Sequence, residues 1–286
     1  MQEGPQPGQC VAGYRLLRPL GHGALGTVFL AEHGVSAAVV ALKLTRLGAA
    51  GDAPAAREDF LRASRIARRL VHPGIAALHA AGVEGPFAWW AMEPVPGTDL
   101  GRYTQARWLL PEPVVLHIGQ RVAQALAYAH RQGVVHRDLK PANVLVGWPG
   151  GSVKLVDFGL ARDADGAQTA TGLILGTPAY MAPEQLAGGV PTPRSDLYAL
   201  GVMLFQLLAG RLPHEADSMG ALLRQVAGTP APDLGVLCPQ LPGAVSALVA
   251  RLLQRDPAER PADGDAVAGV LETAAKAFAT SGSMSR

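Results

Sequence analysis

Asp138, Lys140 and Asn143 fall in one short polar core, within Val134-Val135-His136-Arg137-Asp138-Leu139-Lys140-Pro141-Ala142-Asn143-Val144-Leu145-Val146. Apolar runs flank that core, and Pro141 stops any helix from passing through it. A second apolar strand, Val153-Lys154-Leu155-Val156, ends on Asp157 and is followed by Phe158-Gly159. A hairpin made of these two strands would gather two carboxylates and an amide oxygen in one place. Hard oxygen ligands of this kind suit Mg²⁺, which keeps waters and takes its remaining contacts from substrate phosphates.

The rest of the chain must supply the phosphates and hold this loop. Near the N-terminus, Tyr14-Arg15-Leu16-Leu17 opens a strand. Leu20-Gly21-His22-Gly23-Ala24-Leu25-Gly26-Thr27-Val28 then carries G-x-G-x-x-G. That spacing alone is shared with dinucleotide-binding folds, where the third glycine opens a helix. Here the β-favouring Thr27-Val28-Phe29-Leu30 follows and predicts a second strand. A hairpin turn without side chains lets backbone N–H groups approach phosphates closely. Val39-Val40-Ala41-Leu42-Lys43-Leu44 reads as a buried strand with one lysine, which needs a partner because an unpaired buried charge is costly.

Arg57 to Leu70 has helical period, with Phe60, Ala63, Ile66, Ala67 and Leu70 on the apolar stripe. Phe87 to Glu93 reads as a strand that leads into a linker, Pro94-Val95-Pro96-Gly97-Thr98-Asp99-Leu100. Pro113 to Gln132 is a long amphipathic helix that ends near Gly133. Arg162 to Thr171 is a polar loop. Helical stretches follow over Ala244 to Leu253 and Ala266 to Phe278.

Composition narrows the function classes. No apolar run reaches the length of a membrane span, and the Gly/Pro/Gln-rich start is no signal peptide. Two distant cysteines, Cys10 and Cys238, predict a reducing, cytoplasmic setting without a structural disulfide. A net charge of +2 gives no reason to expect nucleic acid or a membrane surface as partner. The only lysines are Lys43, Lys140, Lys154 and Lys276. A chain so poor in lysine that keeps two inside its motifs needs an ammonium there.

H-R-D-L-K-P-x-N over 136–143, D-F-G over 157–159, the Lys43 strand and Gly176-Thr177-Pro178-Ala179-Tyr180-Met181-Ala182-Pro183-Glu184 together resemble the protein kinases. In type the chain looks like the bacterial eukaryotic-like (Hanks-type) serine/threonine protein kinases. The resemblance runs from about Tyr14 to Ala275. It implies an α+β, bilobal fold with a small β-rich N-lobe and a larger, mainly helical C-lobe. The implied division is 1–13 as a short flexible N-terminus, 14–95 as the N-lobe, 96–278 as the C-lobe and 279–286 as a disordered tail.

The resemblance also implies the roles of single residues. Residues 20–28 would cover ATP, and Lys43 would hold its α- and β-phosphates. Ala41 and Met92 would line the adenine pocket, backbone groups of Glu93 and Val95 would bind the adenine edge, and Asp99 would meet the ribose. Asp138 would accept the proton of the substrate hydroxyl, and Lys140 would contact the γ-phosphate. Asn143 and Asp157 would hold Mg²⁺, with Mn²⁺ able to substitute. Thr169 and Thr171 match activation-loop phosphosites, and a phosphate there could pair with Arg137. Thr177 would help position Asp138, Glu184 would pair with Arg260, and Asp196 would bond the backbone around His136 and Arg137.

The activity implied is transfer of the ATP γ-phosphate to Ser or Thr hydroxyls of a protein substrate. An activating partner or a homodimer fits the same picture. One position departs from the family pattern. Counting back from His72-Pro73, the helix glutamate that pairs with the strand lysine falls at residue 63, where this chain has Ala63. Asp59, one turn earlier, is either a substitute partner for Lys43 or a solvated acid favoured by the helix N-terminus. Ala63 also raises the alternative of a pseudokinase, a nucleotide-binding scaffold that acts through a partner.

Overall fold

The computed structural model describes residues 5–23, 26–47, 54–148, 151–158 and 178–283, the side chains of 54–56 and 279–283 excepted. The chain divides into two compact units, one running up to Pro96 and a second beginning at Gly97.

The first unit is built on strands β1 (Cys10–Val11), β2 (Tyr14–Gly23), β3 (Gly26–His33), β4 (Val39–Arg46), β5 (Leu78–Glu84) and β6 (Phe87–Met92). They form one antiparallel sheet in the order β1-β2-β3-β4-β6-β5. Side chains alternate between its faces, as the period of two requires. Leu16, Phe29, Ala31, Val40, Leu42, Leu44 and Ala91 cluster on one face with Tyr14. Ala88, Trp90 and Met92 cluster with Phe60 and Ala67 of helix α1 (Pro54–Ala67). Cys10 and Val11, in the stretch expected to be flexible, pair with Arg15 and Tyr14.

Two details of α1 differ from the sequence reading. The helix ends at Ala67, three residues before Leu70. Ile66, placed on the apolar stripe, is 41% exposed, whereas Ser64 is buried. Phe60, Ser64 and Ala67 form the inward row, and a helix turns about 100° between Ile66 and Ala67, enough to carry Ile66 off that row.

The second unit is mainly helical. Strands β7 (Thr98–Asp99), β8 (Val144–Gly147) and β9 (Ser152–Leu155) make a small antiparallel sheet in that order. Its described helices are α2 (Glu112–Arg131), α3 (Pro183–Leu186), α4 (Pro193–Ala209), α5 (Met219–Gly228), α6 (Leu234–Leu237), α7 (Gly243–Leu252) and α8 (Gly264–Ser283). Helix α4 is the hub. From Ser195 to Leu208 every residue but Gln206 is buried, as expected of a helix that is apolar all round. It packs against α2 and α7, and α2 packs in turn on α8. At Gly201 a Cβ would stand 2.7 Å from Cβ of Leu252, so glycine is what lets α4 and α7 approach. Helix α8 continues to Ser283, past Phe278 where the sequence reading ends it.

This is the α+β, two-unit architecture that the sequence implied. Among the described residues no helix is long and apolar enough to cross a membrane.

Candidate active site

The loop between α2 and β8 holds the residues with which the sequence reading began. Pro141, Ala142 and Asn143 form a single 3₁₀ turn ahead of β8. Lys140 Nζ donates to Asp138 Oδ2 at 2.8 Å. Asn143 Nδ2 donates to the Asp138 carbonyl at 2.8 Å and to Asp138 Oδ2 at 3.2 Å. The Asn143 carbonyl accepts the N–H of Val156 at 3.0 Å, tying the loop to the strand that leads to Asp157. The β8–β9 hairpin, paired Val144 with Leu155, thus brings Asp138, Asn143 and Asp157 to one end of the small sheet.

Three further groups hold this loop. His136 is fully buried, and its ring packs on Phe158 at a centroid distance of 4.6 Å. Burial lowers its pKa despite the nearby carboxylates of Asp196, Asp138 and Asp157. The neutral ring donates from Nε2 to the Val156 carbonyl at 3.1 Å and accepts the Asp138 N–H at Nδ1. Asp196, near the start of α4, accepts the N–H groups of His136 and Arg137 at 2.7 and 2.9 Å. The same carboxylate faces His130 Nε2 at 2.8 Å. Arg137 and Asp157 both have left-handed backbone, with φ of 69° and 59°. For side chains other than glycine this is a strained state that its surroundings must enforce.

Glu184 and Arg260 meet. Arg260 grips both carboxylate oxygens, each at 2.8 Å. Its remaining N–H groups reach the carbonyls of Arg194, Gln254 and Arg255, and its guanidinium lies over Tyr198. Ser195 also donates to Glu184. Burial pushes the Glu184 carboxyl up, but the Arg260 and Ser195 hydrogen bonds and the Arg260 charge outweigh it and leave its pKa below the ordinary value.

In the first unit, Gly23 pairs with Gly26 across the β2–β3 turn. A strand, not a helix, follows the third glycine, so the dinucleotide arrangement is excluded. Gly26 has φ of 131°, and a Cβ there would stand 2.0 Å from the Leu44 carbonyl oxygen. Only glycine fits. Leu20, Gly21, His22 and Gly23 are exposed, Thr27 and Val28 half-buried, and His22 Nδ1 meets Thr27 Oγ1 at 3.0 Å.

Lys43 sits on β4, an interior strand, and is 9% exposed. Val28, Lys43 and Trp90 lie side by side across β3, β4 and β6, and Ala41 pairs with Met92 one step along the same face. Lys43 Nζ stands 5.7 Å from the Trp90 ring centroid. The sequence reading missed Trp90. Its only signal is cross-strand register, which a single strand does not display.

Asp59 is corrected. Its exposed side chain pairs with Arg62 on the same helix at 2.5 Å, so it is the solvated acid and not a substitute partner for Lys43. Met92 is buried in the core of the first unit. The Glu93 N–H is already used by the Ala77 carbonyl at 2.8 Å, and Val95 is half-buried. Asp99 Oδ1 accepts the Gly101 N–H at 2.9 Å and caps the 3₁₀ turn Leu100–Tyr103. Ala24, Leu25, Thr169, Thr171 and Thr177 lie outside the described residues.

A small sheet with α1 forms one unit, and a helical unit built on α4 carries H-R-D-L-K-P-x-N at one end of a hairpin. Residues 14–272 match the protein kinase domain model, and the chain belongs to the protein kinase domain family. It is 41% identical over 260 residues to the serine/threonine-protein kinase PknJ of Mycobacterium tuberculosis, covering 88% of this chain and 44% of that protein. It is 33% identical to the serine/threonine-protein kinase PrkC of Bacillus subtilis, covering 93% of this chain and 41% of that protein. It is 37% identical to the serine/threonine-protein kinase Pkn3 of Myxococcus xanthus, covering 92% and 50%. The chain therefore spans about half, or less, of the length of these relatives.

Proposed function

We propose that this chain is a serine/threonine protein kinase domain that transfers the γ-phosphate of ATP to Ser or Thr hydroxyls of a protein substrate. The observation that carries this reading is the Asp138–Lys140–Asn143 cluster, in which one carboxylate oxygen accepts from both the ammonium and the amide. That leaves Asp138 Oδ1 to meet the acceptor hydroxyl and orient it for in-line attack. Lys140 would steady the γ-phosphate as charge moves onto its oxygens. Asn143 and Asp157 form a hard oxygen donor set that fits Mg²⁺, Asn143 through Oδ1 because Nδ2 is committed to Asp138. The ion would supply charge neutralisation between neighbouring phosphates. In the first unit, Lys43 would hold the α- and β-phosphates over the face that carries Val28, Ala41 and Met92. The Glu93 carbonyl and the Val95 backbone would meet the adenine edge, and Asp99 the ribose.

Autophosphorylation of Thr169 and Thr171, with Arg137 as the cation that receives the phosphate, belongs to the same reading. So do Thr177 as a support for Asp138, an activating partner or homodimer, and a reducing, cytoplasmic compartment that suits the free Cys10 and Cys238. No observation favours the scaffold alternative raised by Ala63, and the chain carries Lys43, Asp138, Asn143 and Asp157.

The test is incubation of the purified domain with labelled ATP, Mg²⁺ and a generic protein acceptor, beside Lys43→Met and Asp138→Asn. Label on Ser or Thr that disappears in both variants supports the reading. Tight Mg-ATP binding without transfer to itself or to any acceptor overturns it.

A further inference from the structure

We propose that Trp90 is a positioning residue for the Lys43 ammonium, holding it over the indole face so that it meets the phosphates of ATP. This rests on the reading of Lys43 as the phosphate-binding lysine.

Lys43 and Trp90 are cross-strand partners in the β4–β6 ladder, so their side chains leave the same face next to each other. The ammonium lies 5.7 Å from the ring centroid, within cation–π range. The ring itself is fixed: Trp90 is 1% exposed, and Phe60 of α1 packs edge-on against it at 4.8 Å. The row of α1 on which Phe60 lies continues with Ser64 and Ala67, both buried.

The choice of tryptophan needs a reason. Its Nε1–H is buried and has no hydrogen-bond partner among the described residues. A buried, unpaired donor is costly, and phenylalanine would fill an apolar core without it. Tryptophan is, however, the strongest cation–π partner. An aromatic face restricts where the ammonium sits without neutralising it, as a carboxylate would.

The experiment is titration of ATP with Mg²⁺, and separately of adenosine, into the wild-type domain and into Trp90→Leu, Trp90→Phe and Lys43→Met, with Trp90→Leu and Trp90→Phe also made in the Lys43→Met background. Thermal midpoints are recorded alongside. Trp90→Leu should weaken ATP about tenfold and Trp90→Phe about threefold, with adenosine unchanged. Neither substitution should weaken ATP further once Lys43 is Met. Equal losses for ATP and adenosine, or a full loss that persists in the Lys43→Met background, would show that Trp90 only packs the core and would overturn the proposal. If Trp90→Leu does not fold, Trp90→Phe decides: ATP affinity equal to wild type overturns it. If Lys43→Met itself leaves ATP affinity unchanged, the phosphate-binding reading of Lys43 fails first and the proposal fails with it.

Discussion

The Asp196 carboxylate accepts the backbone N–H of Arg137 at 2.9 Å, and Arg137 is held at φ of 69°. The other Asp196 oxygen takes the His136 N–H at 2.7 Å. One carboxylate on the central helix therefore imposes the turn that aims the next residue, Asp138. Asp196→Ala would strand two backbone donors and release the strained turn, at a cost of about 3 kcal/mol. Denaturant unfolding should show that loss. Hydrogen exchange should show faster opening around residues 136–138.

The Glu184–Arg260 pair predicts acid sensitivity. The folded carboxyl titrates below its ordinary value. The unfolded state therefore takes up the proton first, near pH 4.3 by the usual value for Glu, and stability falls as the pH drops from there through the lower folded pKa. Glu184→Gln should flatten that acid limb. It should also lower stability at neutral pH by about 3 kcal/mol, because Arg260 is left buried without its counter-charge. Arg260→Lys will not rescue it, since an ammonium cannot make the paired bonds to both oxygens. Denaturant melts across pH 3 to 7 check both statements.

His136 works in the same direction at higher pH. Burial holds its folded pKa below that of the unfolded chain. Its contribution is complete above the unfolded value, about 6.5, and is lost as the pH falls toward the folded one. Nitrogen NMR should find the Nε2–H tautomer at pH 7, matching donation to Val156. A protonated ring at pH 7 would contradict this.

If Asp138 is the proton acceptor proposed above, Asp138→Asn should lower phosphoryl transfer about 10³-fold and leave ATP affinity little changed. Chelation of divalent metal should abolish transfer reversibly. Single-turnover transfer paired with ATP titration separates the two effects.

Gly26→Ala places a methyl group against the Leu44 carbonyl and asks alanine to adopt φ of 131°. The β2–β3 hairpin must shift, so ATP binding should weaken by about tenfold or more while the second unit unfolds as before. Circular dichroism melts and ATP titration follow the two outcomes separately.

The sequence by itself determined the local arrangement of the loop and much of the frame. Offsets within 136–143, the apolar strands that flank them and Pro141 sufficed to place Asp138, Lys140 and Asn143 beside Asp157, because a hairpin is a local structure and its register is short-range. The β-favouring run after Gly26 separated a hairpin from a helix for the same reason. The long helices were legible from period, though their ends moved by up to five residues.

Only the tertiary structure decided which residues face one another across the chain. Asp59 lies on the same helix as the inward row, but the helix rotation sets it against Arg62 and solvent. Ile66 was misplaced through the same rotation, since an apolar stripe in sequence does not say how a helix is turned on its sheet. Trp90 meets Lys43 because β4 and β6 are paired in one particular register, although 46 residues separate them in the chain. The left-handed backbone at Arg137 was equally hidden, because nothing local favours it there. At Arg137 it exists where a buried helix 59 residues away supplies the acceptor that holds it.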